Sequence, residues 1–220
     1  MTRPGALVHR SAHAGGLLLL VGSAQFVVAM IVVQIAYPRY SDLANFVSDL
    51  GNPHLSPWAA LFNGSIETLG VLGFLGALLI GSAFVPGTAS RIGRGALAVT
   101  TLFALLVGVF PENSPELGGR VHGLVSDGTF LAAGAALLFL GSAMLGDPRW
   151  EVYAFYTLAS GIATFLAIAL FELNSNPMVN GLIERIVIAP ILLWAILAGT
   201  HIARLPGYAR SPLRPRIAPR

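Results

Sequence analysis

The sequence predicts an all-α fold: a polytopic membrane protein built as a six-transmembrane-helix bundle, with the N-terminus and C-terminus both cytoplasmic. Three observations predict it. Of 220 residues, 55% are hydrophobic and only 10% are charged, against about 25% charged in a soluble domain. Apolar stretches of about 18 residues or more, the length that crosses hydrocarbon, recur along the whole chain. The arginines also segregate by loop. With the N-terminus inside, Arg3, Arg10, Arg91, Arg94, Arg149, Arg204, Arg210, Arg214, Arg216 and Arg220 are cytoplasmic, and only Arg39, Arg120 and Arg185 lie outside, which is the bias that orients membrane helices. The acids run the other way, with Asp42, Asp49, Glu67, Glu112, Glu116, Asp127, Glu172 and Glu184 in the outer half.

A cytoplasmic N-terminal segment, 1–14, leads into the transmembrane domain, 15–203. The first span, 15–37, has a longer apolar core than a secretory signal and no A-x-A-like site after it, so it is expected to stay as a helix. The outer connection 38–57 carries Leu43, Phe46, Val47 and Leu50 at i, i+3, i+4 and i+7, the spacing of a short amphipathic helix lying on the outer surface. Pro57-Trp58 opens the second span, 58–85, and Pro111 ends the third, 93–111. Asp147-Pro148 separates the fourth, 119–146, from the fifth, 152–173, and Asn176-Pro177 precedes the sixth, 179–203, which Pro190 should kink. A basic cytoplasmic tail, 204–220, follows. Tyr37, Tyr40, Trp58, Trp150, Tyr153 and Tyr156 fall at span ends, where amphipathic rings favour the headgroup level. Gly70, Gly73 and Gly76 on the second helix, and Gly128, Ala132 and Ala135 on the fourth, mark faces for close helix packing.

Composition excludes several chemistries. There is no cysteine, hence no disulfide, thiolate nucleophile, iron–sulfur cluster or thiolate zinc site. Phosphate-loop and dinucleotide fingerprints are absent too. The pI of about 9.8 does not point to nucleic acid, because five arginines lie in the last seventeen residues, where they serve as a topology signal or a surface for anionic lipid. All thirteen basic residues are arginine, which with the abundant Ala and Gly suggests a GC-rich bacterial genome and a multi-pass protein of the bacterial inner (plasma) membrane.

The candidate functional residues cluster in the outer half. Ser48 and Asp49 stand where the chain re-enters the membrane, with His54 nearby; their bland role is to satisfy backbone groups at a helix end. Asn63 and Glu67 are one turn apart on the second helix, and an intramembrane carboxylate is a functional candidate by default. His122 and Ser126 share a face on the fourth helix, whereas Asp127 points about 140° away from His122, so these three do not make a self-contained triad. On the sixth helix Asn180 and Glu184 share a face and Arg185 adjoins them. Arg185 lies one turn inside that helix, and Asp127 or Glu67 is its expected partner; holding an anionic headgroup is the alternative. A zinc site would need His54, His122 and a carboxylate without any close-spaced motif, and haem lacks histidines at suitable depths, so neither metal nor cofactor is expected.

Three stretches carry a resemblance. Ser-Asp-Leu-Gly at 48–51, Gly-Val-Phe-Pro-Glu at 108–112 followed by His122, and Gly-Leu-Ile-Glu-Arg at 181–185 resemble the prokaryotic membrane family known as domain-of-unknown-function family 998, over nearly the whole chain. That family brings no reaction with it. The first stretch is also similar to one in the Frag1/DRAM/Sfk1-type six-helix membrane proteins, a likeness that implies a lipid-related setting.

Together these readings lead to an expectation of one polar pocket open to the outer leaflet. Ser48, Asp49, Asn63, Glu67, His122, Asp127, Glu184 and Arg185 would line it, and it would bind or process a lipid-like amphiphile. For catalysis, His122 is the candidate general base with Ser48 and Asp49 beside it, and Arg185 would steady an anionic headgroup. Membrane lipids are the expected partners, with a membrane-protein partner or a homo-oligomer as further options. The alternatives are a non-catalytic accessory or assembly subunit and, behind it, a small proton-coupled transporter using Glu67.

Overall fold

Turn chemistry divides the chain where the apolar runs stop. Asp147 and Asn176 each precede a proline, and the side chain of each accepts the backbone N–H two residues on, from Arg149 and Met178, both at 3.1 Å. This is the Asx-turn geometry such residues favour. The computed structural model describes residues 4–112 and 120–205, with side chains from Arg10 onward. Six α-helices form among the described residues: α1 (Pro4–Ala36), α2 (Ala59–Leu79), α3 (Thr88–Val109), α4 (Arg120–Met144), α5 (Glu151–Leu173) and α6 (Asn180–Arg204). All six are long and apolar enough to cross a membrane. Helix α1 reaches well back of residue 15, and α6 runs unbroken through Pro190.

The surface is that of a protein solvated by hydrocarbon. Val28, Ile35, Phe155, Leu166 and Leu173 are exposed, while Ser23, Ser65, Thr100, Thr101, Thr157, Ser160 and Thr164 are buried. The buried hydroxyls are mostly spent on the preceding turn of their own helix, as Thr157 does on Tyr153 O at 2.7 Å and Thr164 on Ser160 O at 2.9 Å. That satisfies a polar group where no water can.

The helices form a ring in which each packs on its sequence neighbours and α6 closes on α1. Closure is tight: a Cβ at Gly16 would stand 2.6 Å from Ala203 N and 2.7 Å from Gly199 O, so the two backbones meet without side chains between them. Of the small residues expected to pack, Gly70 does so against Leu105, Gly73 against Thr101 and Gly128 against Phe103. The end of the ring near the chain termini is sealed by aromatic residues. Phe84 stacks on Trp150 with centroids 5.0 Å apart, and Trp150 donates to Ala83 O at 2.9 Å. Arg149 pairs with Asp147 at 2.6 Å and holds the Asp147 carboxyl below its usual range, while His201 Nε2 lies 2.7 Å from Arg149 O.

The distal end, remote from the termini, departs from the sequence reading. Residues 38–57 do not form an amphipathic helix. They make a series of turns with one short 3-10 turn, Ser48–Gly51. Some of their backbone groups are taken by α6 and by the Asp49 side chain, and the others close isolated turns in place of a continuous i to i+4 ladder. Val47 and Leu50 still point inward and are buried, whereas Leu43 is exposed.

Candidate functional site

The loop 40–50 is the ceiling of the bundle, and α6 holds it there. The Val47 N–H donates to the buried Glu184 carboxylate, and the Leu182 N–H donates to Leu43 O at 3.0 Å. Arg185 Nη1 donates to Asp42 O (3.0 Å), Asn45 O (3.2 Å) and Gly181 O (2.9 Å). Its Nη2 donates to the Tyr40 hydroxyl at 2.7 Å and to Asp42 Oδ1 at 3.3 Å. The Tyr40 hydroxyl donates onward to Phe46 O at 2.7 Å. Burial pushes this hydroxyl up to about 12 even beside the guanidinium, so it stays a neutral donor. A Cβ at Gly181 would collide with Asn45 O, so only glycine lets the loop lie this close to α6.

Within the ceiling, Asp49 plays a local part. Its Oδ2 accepts from Asn45 Nδ2 at 2.9 Å and from Phe46 N at 3.1 Å. Asn63 ties the 3-10 turn to α2 by donating to Gly51 O at 2.9 Å. Glu112, just past α3, lies beside Asp49 and Ser48, and its Oε2 has no hydrogen-bond partner among the described residues. Burial, reinforced by Asp49, pushes the Glu112 carboxyl up to about 7 against the pull of Ser48. Tyr37 is raised as well, by burial and then by the charges of Asp49 and Glu112.

Beneath the ceiling is a cavity of about 110 Å³ bordered by α1, α2, α3, α4 and α6. Ser48, His122, Ser126 and Glu184 border its distal part, and Leu19, Leu97, Trp194 and Ala195 its deeper part. From Val107 to Leu97 on α3, and from Glu184 to Ala195 on α6, the lining spans about 15 Å of helix at 1.5 Å per residue. The deep lining belongs to the core that continues through Ile80, Phe84, Leu140, Met144 and Trp150, so the cavity is blind towards the termini. His122 Nδ1 lies 2.9 Å from Phe110 O. A carbonyl can only accept, so in the neutral ring Nδ1 carries the proton and Nε2 keeps the lone pair.

The structure brings together some of the predicted site residues and separates others. Ser48, His122 and Glu184 border the cavity, and Asp49 and Asn63 build its ceiling. Glu67 does not join them: it sits at the α2–α3 crossing, its Cγ 2.6 Å from where a Cβ of Gly108 would be. Asp127 faces a separate cleft between α4, α5 and α6, with Phe171 and Glu172. Arg185 pairs with neither Glu67 nor Asp127 but with Asp42, because the loop carbonyls of Asp42 and Asn45 gather its guanidinium, and it is not among the residues lining the cavity. The eight residues therefore do not line one pocket. His54 is exposed on the loop, and Asn180 accepts from Asn174 at 2.6 Å. Among the described residues, no three potential ligands group as a metal site would require. Glu116 lies outside the described residues.

Sequence reasoning missed Tyr40, read only as an interfacial ring, and Ser23, whose hydroxyl borders the cavity without a partner among the described residues. It also missed how the three resembling stretches fit together. Ser48–Gly51, Phe110–Glu112 with His122, and Gly181–Arg185 meet at the cavity ceiling. The model of one family, described as a protein of unknown function (DUF998), matches residues 20–201. No curated protein and no solved structure is detectably similar to the chain.

Proposed function

We propose that this chain, which belongs to the DUF998 family of proteins of unknown function, is a membrane protein that holds a lipid-like amphiphile, its apolar chain in the central cavity and its head under the ceiling. The observation that carries the reading is the polarity of the cavity along its length. Ser48, His122 and Glu184 stand at the distal end, and most of the rest of the wall is made of Leu, Ile, Val, Ala, Phe and Trp side chains, the helix-bonded hydroxyls of Thr100 and Thr101, and the Ser23 hydroxyl, which has no partner among the described residues. A chain in an apolar slot with its head among a few placed polar groups is how small amphiphiles are held. The arginine bias of the sequence supports an outer-leaflet position for this end. Because the cavity is blind, the geometry supports binding over translocation.

The test is mass spectrometry of amphiphiles that co-purify from native membranes. Ser23→Leu fills the cavity without adding a polar group, and it is expected to remove the bound amphiphile while the bundle still folds. Equal amphiphile content in Ser23→Leu and wild-type protein would sink the proposal.

A second reading, an accessory subunit without a ligand, draws on the use of Arg185, Glu184 and Asp49 to fasten the loop to α6. It predicts that filling the cavity changes nothing but stability.

A further inference from the structure

The groups at the head of the cavity specify what kind of head it accepts. Ser48 borders the cavity, and Glu112, which is not itself part of the cavity wall, lies beside Ser48 with a buried Oε2 that has no partner among the described residues. His122 keeps an acceptor lone pair at Nε2, since Nδ1 is committed to Phe110 O. Ser23, only 1% exposed, borders the cavity with an unpartnered hydroxyl, so the cavity leaves polar groups for an occupant to satisfy.

Charge points the same way. Asp49, Glu112 and Glu184 gather at this end. Of the cations there, Arg185 has its Nη atoms on loop and α6 oxygens and on Tyr40, and Arg39 and Arg120 are exposed and off the cavity wall. An anionic head would enter an end of the cavity where acids gather and where no cation among the described residues is free to meet it, at the cost of an unpaired buried charge.

We infer that the amphiphile is a single-chain molecule whose head donates hydrogen bonds and carries no negative charge, a primary amine or an alcohol, and that the site discriminates against carboxylates and phosphates. This inference rests on the cavity reading above.

Trp194, which borders the deep end, supplies the assay. In full-length Trp58→Phe protein in detergent, chains brominated at their far end quench Trp194 if they fill the cavity. The probes are 11-bromoundecylamine, 11-bromoundecanol, 11-bromoundecanoate and 11-bromoundecyl phosphate. The amine and the alcohol should quench at concentrations about tenfold below those needed by the carboxylate and the phosphate. Ser23→Leu should abolish the quenching, and Ala104→Leu narrows the cavity from α3 if Ser23→Leu does not fold. Glu112→Gln should lower the preference for the amine over the alcohol, and an unchanged preference would overturn the assignment. Quenching by the carboxylate or the phosphate at equal or lower concentration, and sensitive to Ser23→Leu, would overturn the inference while leaving the cavity reading intact. Quenching by every head that ignores both cavity-filling substitutions would overturn the cavity reading itself.

Discussion

Arg185 Nη2 donates to the Tyr40 hydroxyl over 2.7 Å, and Tyr40 hands the interaction on to Phe46 O at the same distance. An arginine one turn inside a membrane helix thereby reaches the loop outside it. The guanidinium also stands 5.4 Å from the Tyr40 ring centroid, where a cation and an aromatic face attract. The residue acts as a clasp more than as one half of an ion pair.

Arg185→Gln should therefore lower thermal stability in detergent, since it releases two loop carbonyls, those of Asp42 and Asn45, and the Tyr40 hydroxyl at once. Asp42→Asn should change it little, within about 1 kcal/mol, because the Asp42 side chain is 61% exposed. Differential scanning of the two variants checks the contrast. An unchanged melting temperature in Arg185→Gln would show that the clasp does not hold the ceiling.

Glu184 supplies a matched pair of substitutions. Gln keeps an oxygen for the Val47 N–H, whereas Leu leaves that buried donor without a partner, a loss of about 1–3 kcal/mol. Glu184→Leu should unfold well below Glu184→Gln in thermal scans, and equal midpoints would remove Glu184 as the loop's anchor.

Gly181→Ala should act through the same contact. Its Cβ would displace the Asn45 carbonyl, so the loop between α1 and α2 should become cleavable by protease in folded protein. Protection equal to wild type would mean that the loop is held elsewhere.

Glu112 predicts a pH dependence whose sign follows from its raised carboxyl, up to about 7 from 4.5. Between these values the folded protein holds a proton that the unfolded chain has lost, so folding is favoured by protonation. The contribution is full below about 4.5 and is lost as pH rises through about 7. Melting temperature should fall across that window in wild-type protein, and Glu112→Gln should flatten the decline. A rise in stability over the same range would contradict the burial of this carboxyl.

Topology is tested with reporters active only in the cytoplasm. A fusion after Arg220 should be active and one near Asn113 inactive, as the arginine bias requires. The reverse pattern would turn the cavity towards the cytoplasm.

The six helices were legible in the sequence because crossing hydrocarbon takes about 20 apolar residues in a row, and Asp147-Pro148 and Asn176-Pro177 punctuate those runs locally. That Ser48, Asp49, His122, Glu184 and Arg185 are polar groups in need of partners was legible too, since such groups are costly at membrane depth. Their partners were not. The sequence points Arg185 to Asp127 or Glu67 only if both face one interior, and helical phase alone does not say which seam a face will meet. Glu67 went to the α2–α3 crossing and Asp127 to the cleft beside Glu172. The segment 38–57 had the apolar spacing of a helix, yet its backbone groups found Glu184, Arg185 and Leu182 instead. A hydrogen bond between residues 137 positions apart, as between Val47 and Glu184, leaves no local pattern in the chain. Sequence by itself determined which segments cross the membrane and which polar residues enter with them. Only the closing of the ring decided which of those residues meet, because that depends on the rotation of each helix against its neighbours.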